Sequence, residues 1–180
     1  MFAYRFEKIK KTLTKLNYVK NNKLTAKGEF SAQIYADEIL IGEIFTTDFY
    51  LNLNEHQILM ILACICYESR EKTEFYKEYT SVSLKQLKKA LMSNSYTLKE
   101  PKFNELEQLT SLIDPCYNNK SIFDIMENTN LLEGDLIRFF RQILDRINQI
   151  RKATLDERLK QMLRSCQDLI LNCLRNIDAV

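Results

Sequence analysis

Six polar side chains, Arg138, Arg141, Gln142, Asp145, Gln149 and Lys152, recur at three- and four-residue steps along one stretch of the chain. In a helix that spacing gives them a common face. Guanidinium and ammonium groups so arranged can grip phosphate oxygens, arginine planes can stack on bases, and amides can hydrogen-bond base edges. This is the chemistry of recognition rather than of bond-making. Interleaved with them are Leu136, Phe140, Ile143, Leu144, Ile147 and Ile150, an apolar stripe that would seat the same helix on a core. The helix is predicted to open within Asn130-Leu131-Leu132-Glu133-Gly134-Asp135-Leu136-Ile137-Arg138 and to run to about Lys152. The bland counterpart is a solvated helix surface with local pairs such as Arg138 with Gln142 or Arg141 with Asp145, each contributing about 0.2–0.5 kcal/mol.

Residues for catalysis are scarce. No Gly-x-x-x-x-Gly-Lys-Ser/Thr loop is present to cradle phosphates and no Asp-Glu-x-His to hold magnesium, so the chain is not a nucleotide-driven motor by itself. His56 is the single histidine. It has no Ser or Cys at a meaningful spacing, and a surface or capping role is expected of it. Cys64 and Cys66 near His56 invite a metal reading, but two helix residues that far apart point about 200° away from each other, so no metal is expected. Cys116, Cys166 and Cys173 bring the thiols to an odd, scattered five, which fits reduced cysteines in a cytoplasmic protein. The carboxylate pairs Asp37-Glu38 and Asp156-Glu157 sit where helices should begin, favoured by the helix dipole.

The elements that must position these residues are read from periodicity. Hydrophobic residues make up 46% of the 180, and only three Gly and two Pro occur, a composition for helices with short connections. The expected class is all-α: a helical bundle with one small N-terminal β-hairpin, forming one domain over residues 1–180. Within it, residues 1–28 are a basic lead-in helix and hairpin, and residues 29–180 are the bundle. Phe2, Phe6, Ile9, Leu13 and Leu16 make a helical stripe with lysines outward, and Asn21-Asn22 can turn a hairpin because Asn tolerates positive φ. Helices are predicted over Lys27–Ala36 and Asp37–Phe45. Asn54 and Gln57 form a capping box for the apolar run Ile58–Tyr67, whose ten residues fall short of the roughly twenty of a membrane span. Ser83–Leu91 is amphipathic. Lys102–Ile113 should be helical and stop before Pro115, whose ring disfavours α geometry in the preceding residue. Leu155 to about Ile177 is a last long helix, with Leu155, Leu159, Met162, Leu163, Cys166, Leu169, Ile170, Cys173, Leu174 and Ile177 on its inner stripe.

The net charge of +2 conceals a division. From Met1 to Gly28 eight Lys or Arg stand against Glu7, giving +7, whereas Glu29–Glu68 holds seven acids and no Lys or Arg, giving −7. The basic segment suits phosphates and the acidic one suits a basic protein surface, unless the two pack together and cancel.

Glu133-Gly134-Asp135-Leu136-Ile137-Arg138, preceded by Ser121-Ile122-Phe123-Asp124-Ile125-Met126 and Thr129, resembles the C-terminal helical domain (DSHCT) of superkiller-like DExH RNA helicases. A second block agrees in order and approximate spacing: Leu16-Asn17-Tyr18-Val19, Leu24-Thr25-Ala26-Lys27-Gly28, Asp37 to Phe45, and Leu53-Asn54-Glu55-His56-Gln57-Ile58. The resemblance implies that the helix opening at Glu133-Gly134 lies across the path of single-stranded RNA and guides it like a ratchet. Arg138 and Arg141 match the family's basic positions, with Gln142, Asp145, Gln149 and Lys152 completing that face. Gln142 stands where many members carry another arginine and Asp145 where they carry glutamate, which weakens the expected contact. Cys116 or Tyr117 replaces a common tryptophan, Leu171–Val180 replaces an aromatic-containing terminus, and the connection over 68–101 is shorter than usual. The partners implied are single-stranded RNA and helicase motor domains in cis or in trans, with no membrane. This chain needs no cofactor of its own, since ATP and magnesium would be bound by motor domains. The location implied is cytoplasmic, or nuclear in a eukaryote. The alternative is a helical protein-interaction module without a nucleic-acid role, using the acidic Glu29–Glu68 surface.

Overall fold

The chain is organised around a helix with no solvent face. In a computed structural model, which describes residues 2–177, helix α4 (Glu55–Cys66) is buried at every position from His56 onward. A helix that is apolar all round has to be enclosed, and α5 (Val82–Ser93), α6 (Leu106–Tyr117), α8 (Glu133–Ala153) and α9 (Glu157–Cys173) pack against it. Its start is the predicted capping box: the Gln57 N–H donates to Asn54 Oδ1 at 2.8 Å and the Asn54 N–H donates to Gln57 Oε1 at 2.9 Å. The fold is all-α with one two-stranded hairpin, as the composition predicts.

The N-terminal part builds on Tyr18. After α1 (Phe2–Lys15), strands β1 (Val19–Lys20) and β2 (Lys23–Leu24) pair antiparallel. Their turn is Asn21-Asn22 with φ of 52° and 60°. The carbonyl of the buried Tyr18 accepts the Thr25 N–H at 3.0 Å, and its hydroxyl lies 3.1 Å from both the Ile39 carbonyl and Glu43 Oε1. Lys27 Nζ completes the cluster, 2.7 Å from Glu43 and 4.5 Å from the Tyr18 ring centroid. This is the one ion pair between the basic and acidic segments among the described residues. Helix α2 (Ala26–Ala32) lies so close to the Tyr18 backbone that a Cβ on Gly28 would overlap the Tyr18 carbonyl, and α3 (Glu38–Phe45) so close to α2 and to Tyr18 that one on Gly42 would overlap the Ser31 and Tyr18 hydroxyls.

Four expectations need correction. The apolar stripe of α1 forms but is not covered: Phe2, Phe6 and Ile9 are exposed, and the main packing of the helix is against β1, which follows its C-terminal end. α2 stops at Ala32 rather than Ala36, since the N–H of Tyr35 is drawn away by a side chain of α8. α6 does not stop before Pro115 but runs through it to Tyr117, preceded by a 3-10 turn over Pro101–Glu105. A proline lacks the N–H that would serve the carbonyl four residues back; that carbonyl, Ser111, instead accepts the Asn128 side-chain amide at 3.0 Å. Leu155 belongs to the α8–α9 connection and is 93% exposed. α9 begins only after Asp156, which caps the N–H groups of Arg158 and Leu159. The Tyr50 hydroxyl also bonds that carboxylate and holds it below the usual aspartate range. Of the stripe read for α9, Leu159, Leu163, Cys166, Ile170 and Cys173 are buried and Met162 and Leu169 half-buried, while the helix ends at Cys173, before Leu174 and Ile177.

Short segments close the bundle. α7 (Ile122–Ile125) and a 3-10 turn (Met126–Asn128) lead into α8, and the extended chain before α5 lies beside them. There Phe75 bridges Thr129, and the Tyr76 N–H donates to the Asn128 carbonyl at 2.8 Å.

Two stability tests follow from this packing. Gly28→Ala is expected to destabilise the fold by about 1–3 kcal/mol in urea unfolding, the range for overpacking. Gly134→Ala on the open side of α8, where a Cβ meets nothing within 4 Å, should be neutral or stabilising by up to about 1 kcal/mol; equal effects at the two glycines would refute the Tyr18 packing argument. In a double-mutant cycle, Asn128→Ala should cost about 1–2 kcal/mol and clearly less in a Pro115→Ala background, where the new N–H can serve the Ser111 carbonyl. Strict additivity would show that Asn128 does not compensate for the proline.

Candidate nucleic-acid interface

Helix α8 carries the six predicted polar residues on a rigid mount. Leu136, Phe139, Phe140, Ile143, Ile147, Ile150 and Ala153 are buried along its underside. Phe139 joins the stripe read from sequence, while Leu144 is only half-covered. Phe139 meets Phe140 and Tyr67 edge-on, with centroids 5.2 and 6.3 Å apart. Acids in the first turn (Glu133, Asp135) and bases in the last (Arg151, Lys152) suit the helix dipole. Over 21 residues the helix spans roughly 30 Å.

Between α8 and the end of α4 with the segment that follows it runs a groove made of two adjoining depressions. One is bordered by Arg70, Leu131, Asp135 and Arg138, the other by Tyr35, Lys102, Asp145, Arg146 and Gln149; Cys66, Tyr67, Glu68 and Gln142 line both. The structure therefore divides the predicted set. Arg138, Gln142, Asp145 and Gln149 line the groove, whereas Arg141 and Lys152 stand on the exposed flank of α8 outside it. Arg138 and Arg141 are both exposed, and neither takes part in an ion pair among the described residues, including the anticipated Arg141 with Asp145. At one end Arg70, on the segment after α4, pairs with Asp135 at 3.3 Å.

The other end joins Gln149 to residues that periodicity did not select, Arg146, Lys102 and Tyr35. Arg146 and Gln149 reach across to the α2–α3 loop: Arg146 donates to the Ala36 carbonyl, its second terminal nitrogen lies 3.3 Å from Asp37 Oδ2, and Gln149 Oε1 accepts the Tyr35 N–H at 2.9 Å. Lys102 Nζ meets the other Asp37 oxygen at 2.6 Å. Asp37 does stand at the start of α3, but at φ 56° and with no side-chain capping bond; it spends its carboxylate on two cations. Arg146 is four residues past Gln142 and was legible as a neighbour on that face, but Lys102 and the loop are distant in sequence. Beside the groove, burial pushes the Cys66 thiol up to about 11, with Arg146 pulling the other way, so it stays a neutral thiol near pH 7.

His56 departs from its expected surface or capping role. It is 3% exposed, with Nδ1 2.8 Å from Ser83 Oγ on α5 and Nε2 2.8 Å from Asp114 Oδ1 on α6. Ser, His and Asp thus do meet, at spacings no sequence window reveals. Ser83 Oγ also lies 3.3 Å from the Asn54 amide nitrogen, and Gln57 Nε2 donates to the Ser83 carbonyl at 3.0 Å. With its partners occupied and its imidazole sealed among three helices, this set is a structural tie. All five cysteines are buried free thiols. Among the described residues no three His, Cys, Asp or Glu converge to hold a metal ion, and no helix is long and apolar enough to cross a membrane.

Comparison with known families bears on the same helix. The model of the DSHCT (NUC185) domain matches residues 21–173, which takes in everything from the hairpin turn to the end of α9. The chain belongs to the DSHCT family. It is a C-terminal helical domain of the superkiller-like helicase type. α1 precedes the matched DSHCT region, whereas α8 and the groove lie wholly inside it. No curated protein is matched by the chain.

The loop clamp is open to test. Arg146→Ala strands the Ala36 carbonyl and half of the Asp37 carboxylate, and should lower unfolding free energy by about 2 kcal/mol in urea titration. Arg146→Lys should recover only part of it, because an ammonium cannot fork between two acceptors. A loss below about 0.5 kcal/mol for the alanine variant would mean that Arg146 does not hold the loop.

Proposed function

We propose that this DSHCT domain is the accessory RNA-contacting part of an ATP-dependent superkiller-like DExH helicase, with α8 as a ratchet-like helix that guides single-stranded RNA. The observation that carries the reading is Arg138: an exposed guanidinium with no ion-pair partner among the described residues, at the rim of a groove, on a helix whose underside is fully anchored. An arginine held this way keeps its planar fork free for phosphate or for stacking on a base. Gln142, Asp145 and Gln149 add hydrogen-bonding groups along the groove, while Arg141 and Lys152 contribute charge from the flank. Nucleotide and magnesium belong to motor domains, supplied in cis or in trans. The uncovered Phe2, Phe6 and Ile9 stripe of α1 offers such a partner apolar surface. A cytoplasmic place of action, or a nuclear one in a eukaryote, follows from this role.

The test is fluorescence anisotropy with a short oligo-uridine at low and moderate salt. Arg138→Glu with Arg141→Glu should weaken binding at least tenfold and flatten the salt dependence, by about 0.7 in log–log slope for each phosphate no longer neutralised. Because Arg138 borders the groove and Arg141 does not, Arg138→Ala should cost more affinity than Arg141→Ala. An unchanged titration in the double variant would overturn the reading and leave the acidic Glu29–Glu68 surface as the candidate contact.

A further inference from the structure

The groove ends at an aromatic ring that the fold leaves bare. Tyr35 is 90% exposed, yet the loop that carries it is tied at three successive residues. Its own N–H is held by Gln149, the next carbonyl by Arg146, and the residue after that by Arg146 and Lys102 together. Ile34, on its other side, is buried in the core. A loop with so many ties fixes the point from which the ring projects, so that only the two side-chain torsions of Tyr35 remain to be ordered on binding. A tyrosine so mounted offers large contact area at small conformational-entropy cost.

We infer that Tyr35 and the depression beside it form a nucleobase subsite, in which an unpaired base of a single-stranded RNA stacks on the tyrosine ring. This rests on the α8 reading above and extends it. Three observations carry it. The depression bordered by Tyr35 shares its walls, Cys66 to Glu68 and Gln142, with the one bordered by Arg138, so one strand can occupy both. From Arg138 to Gln149 the helix rises roughly 16 Å, room for a few nucleotides between a phosphate grip at one end and a stacked base at the other. The polar groups at the Tyr35 end suit a base better than a phosphate. The Gln149 carbonyl oxygen is engaged with the loop, leaving its amide N–H groups to donate. Asp37, Glu68 and Asp145 together offset Arg146 and Lys102 in the lining, which leaves no net positive charge there to favour a phosphate. Stacking on an aromatic ring tolerates any base, so the subsite adds affinity and position without sequence preference.

The experiment uses the full chain and the same oligo-uridine titration, with Tyr35→Ala, Tyr35→Leu and Tyr35→Phe beside the Arg138→Glu, Arg141→Glu variant. Removing a stacked aromatic should weaken binding about tenfold in the alanine and leucine variants, while phenylalanine stays within about twofold of the parent chain. The salt dependence should be unchanged in all three, since no phosphate-binding group is removed. Thermal unfolding followed by circular dichroism should also be unchanged, because the ring is exposed. If Tyr35→Ala binds within twofold of the parent while the arginine variant is weakened, the subsite is overturned and the α8 reading stands. Leucine binding as well as phenylalanine would equally overturn stacking, reducing the contact to generic apolar surface. If the parent chain binds no oligo-uridine at low salt, both proposals fall together.

Discussion

The enclosure of α4 is the constraint from which the rest of the arrangement follows. Because His56–Cys66 has no solvent side, each of α5, α6, α8 and α9 must turn its apolar face inward, and each polar face is thereby sent outward. For α8 this fixes which way Arg138 points without any contact to Arg138 itself. Apolar burial, however, is non-directional: a smooth greasy rod could rotate or slide within its sheath. The polar exceptions at the start of α4 remove that freedom. His56 ties it to α5 and α6 through Ser83 and Asp114, and Gln57 adds a bond to the Ser83 carbonyl. Burial supplies the stabilisation, and four side chains near one end set the register.

The same division explains what could be read from the chain alone. Periodic features agree with the structure: the buried residues along α8 and α9, the Asn21-Asn22 turn, and the capping box at Asn54 with the buried run after it. Each is determined by residues within a few positions of one another. Three of the misjudged features depend on partners far away in sequence. Pro115 reads as a stop because the preceding residues do not show Asn128, which serves the carbonyl the proline abandons. His56 reads as isolated because Ser83 and Asp114 lie 27 and 58 residues on. α2 reads as too long because the group that ends it, Gln149, is 114 positions from Tyr35. In the groove, the α8 residues were legible from spacing, but Tyr35, Arg70 and Lys102 carry no local signal.

Separating the six residues of α8 into a groove set and a flank set changes what each can contribute. Arg141 and Lys152, in open solvent, act as screened charges whose influence fades over roughly a Debye length. Arg138, bordering a concave wall with Tyr67 and Phe139 behind it, has geometry as well as charge to offer. The groove is not a field of one sign, since Glu68, Asp135 and Asp145 interrupt it. A uniformly basic channel would hold a polyanion tightly and uniformly; alternating charges give discrete points of attraction separated by repulsion. Under the proposed role that is the useful arrangement, because a strand that must advance needs places to pause and low cost in leaving them.

Charge placement also separates the N-terminal helix from this surface. The bases of α1 and the hairpin make the first 28 residues strongly positive, and among the described residues only Lys27 is drawn into an ion pair with the bundle, by Glu43. The rest surround an apolar stripe that the described residues leave open, on an element preceding the matched DSHCT region. Burying Phe2, Phe6 and Ile9 on a neighbour would stabilise the contact by about 1.5–3 kcal/mol per side chain fully covered, far more than any single exposed lysine contributes. Apolar area rather than charge therefore dominates what α1 can hold. α8 presents the reverse balance, its apolar side spent on α4 and only its polar side available. Two helices of similar amphipathic pattern thus serve different ends, according to whether the core has already claimed the greasy face.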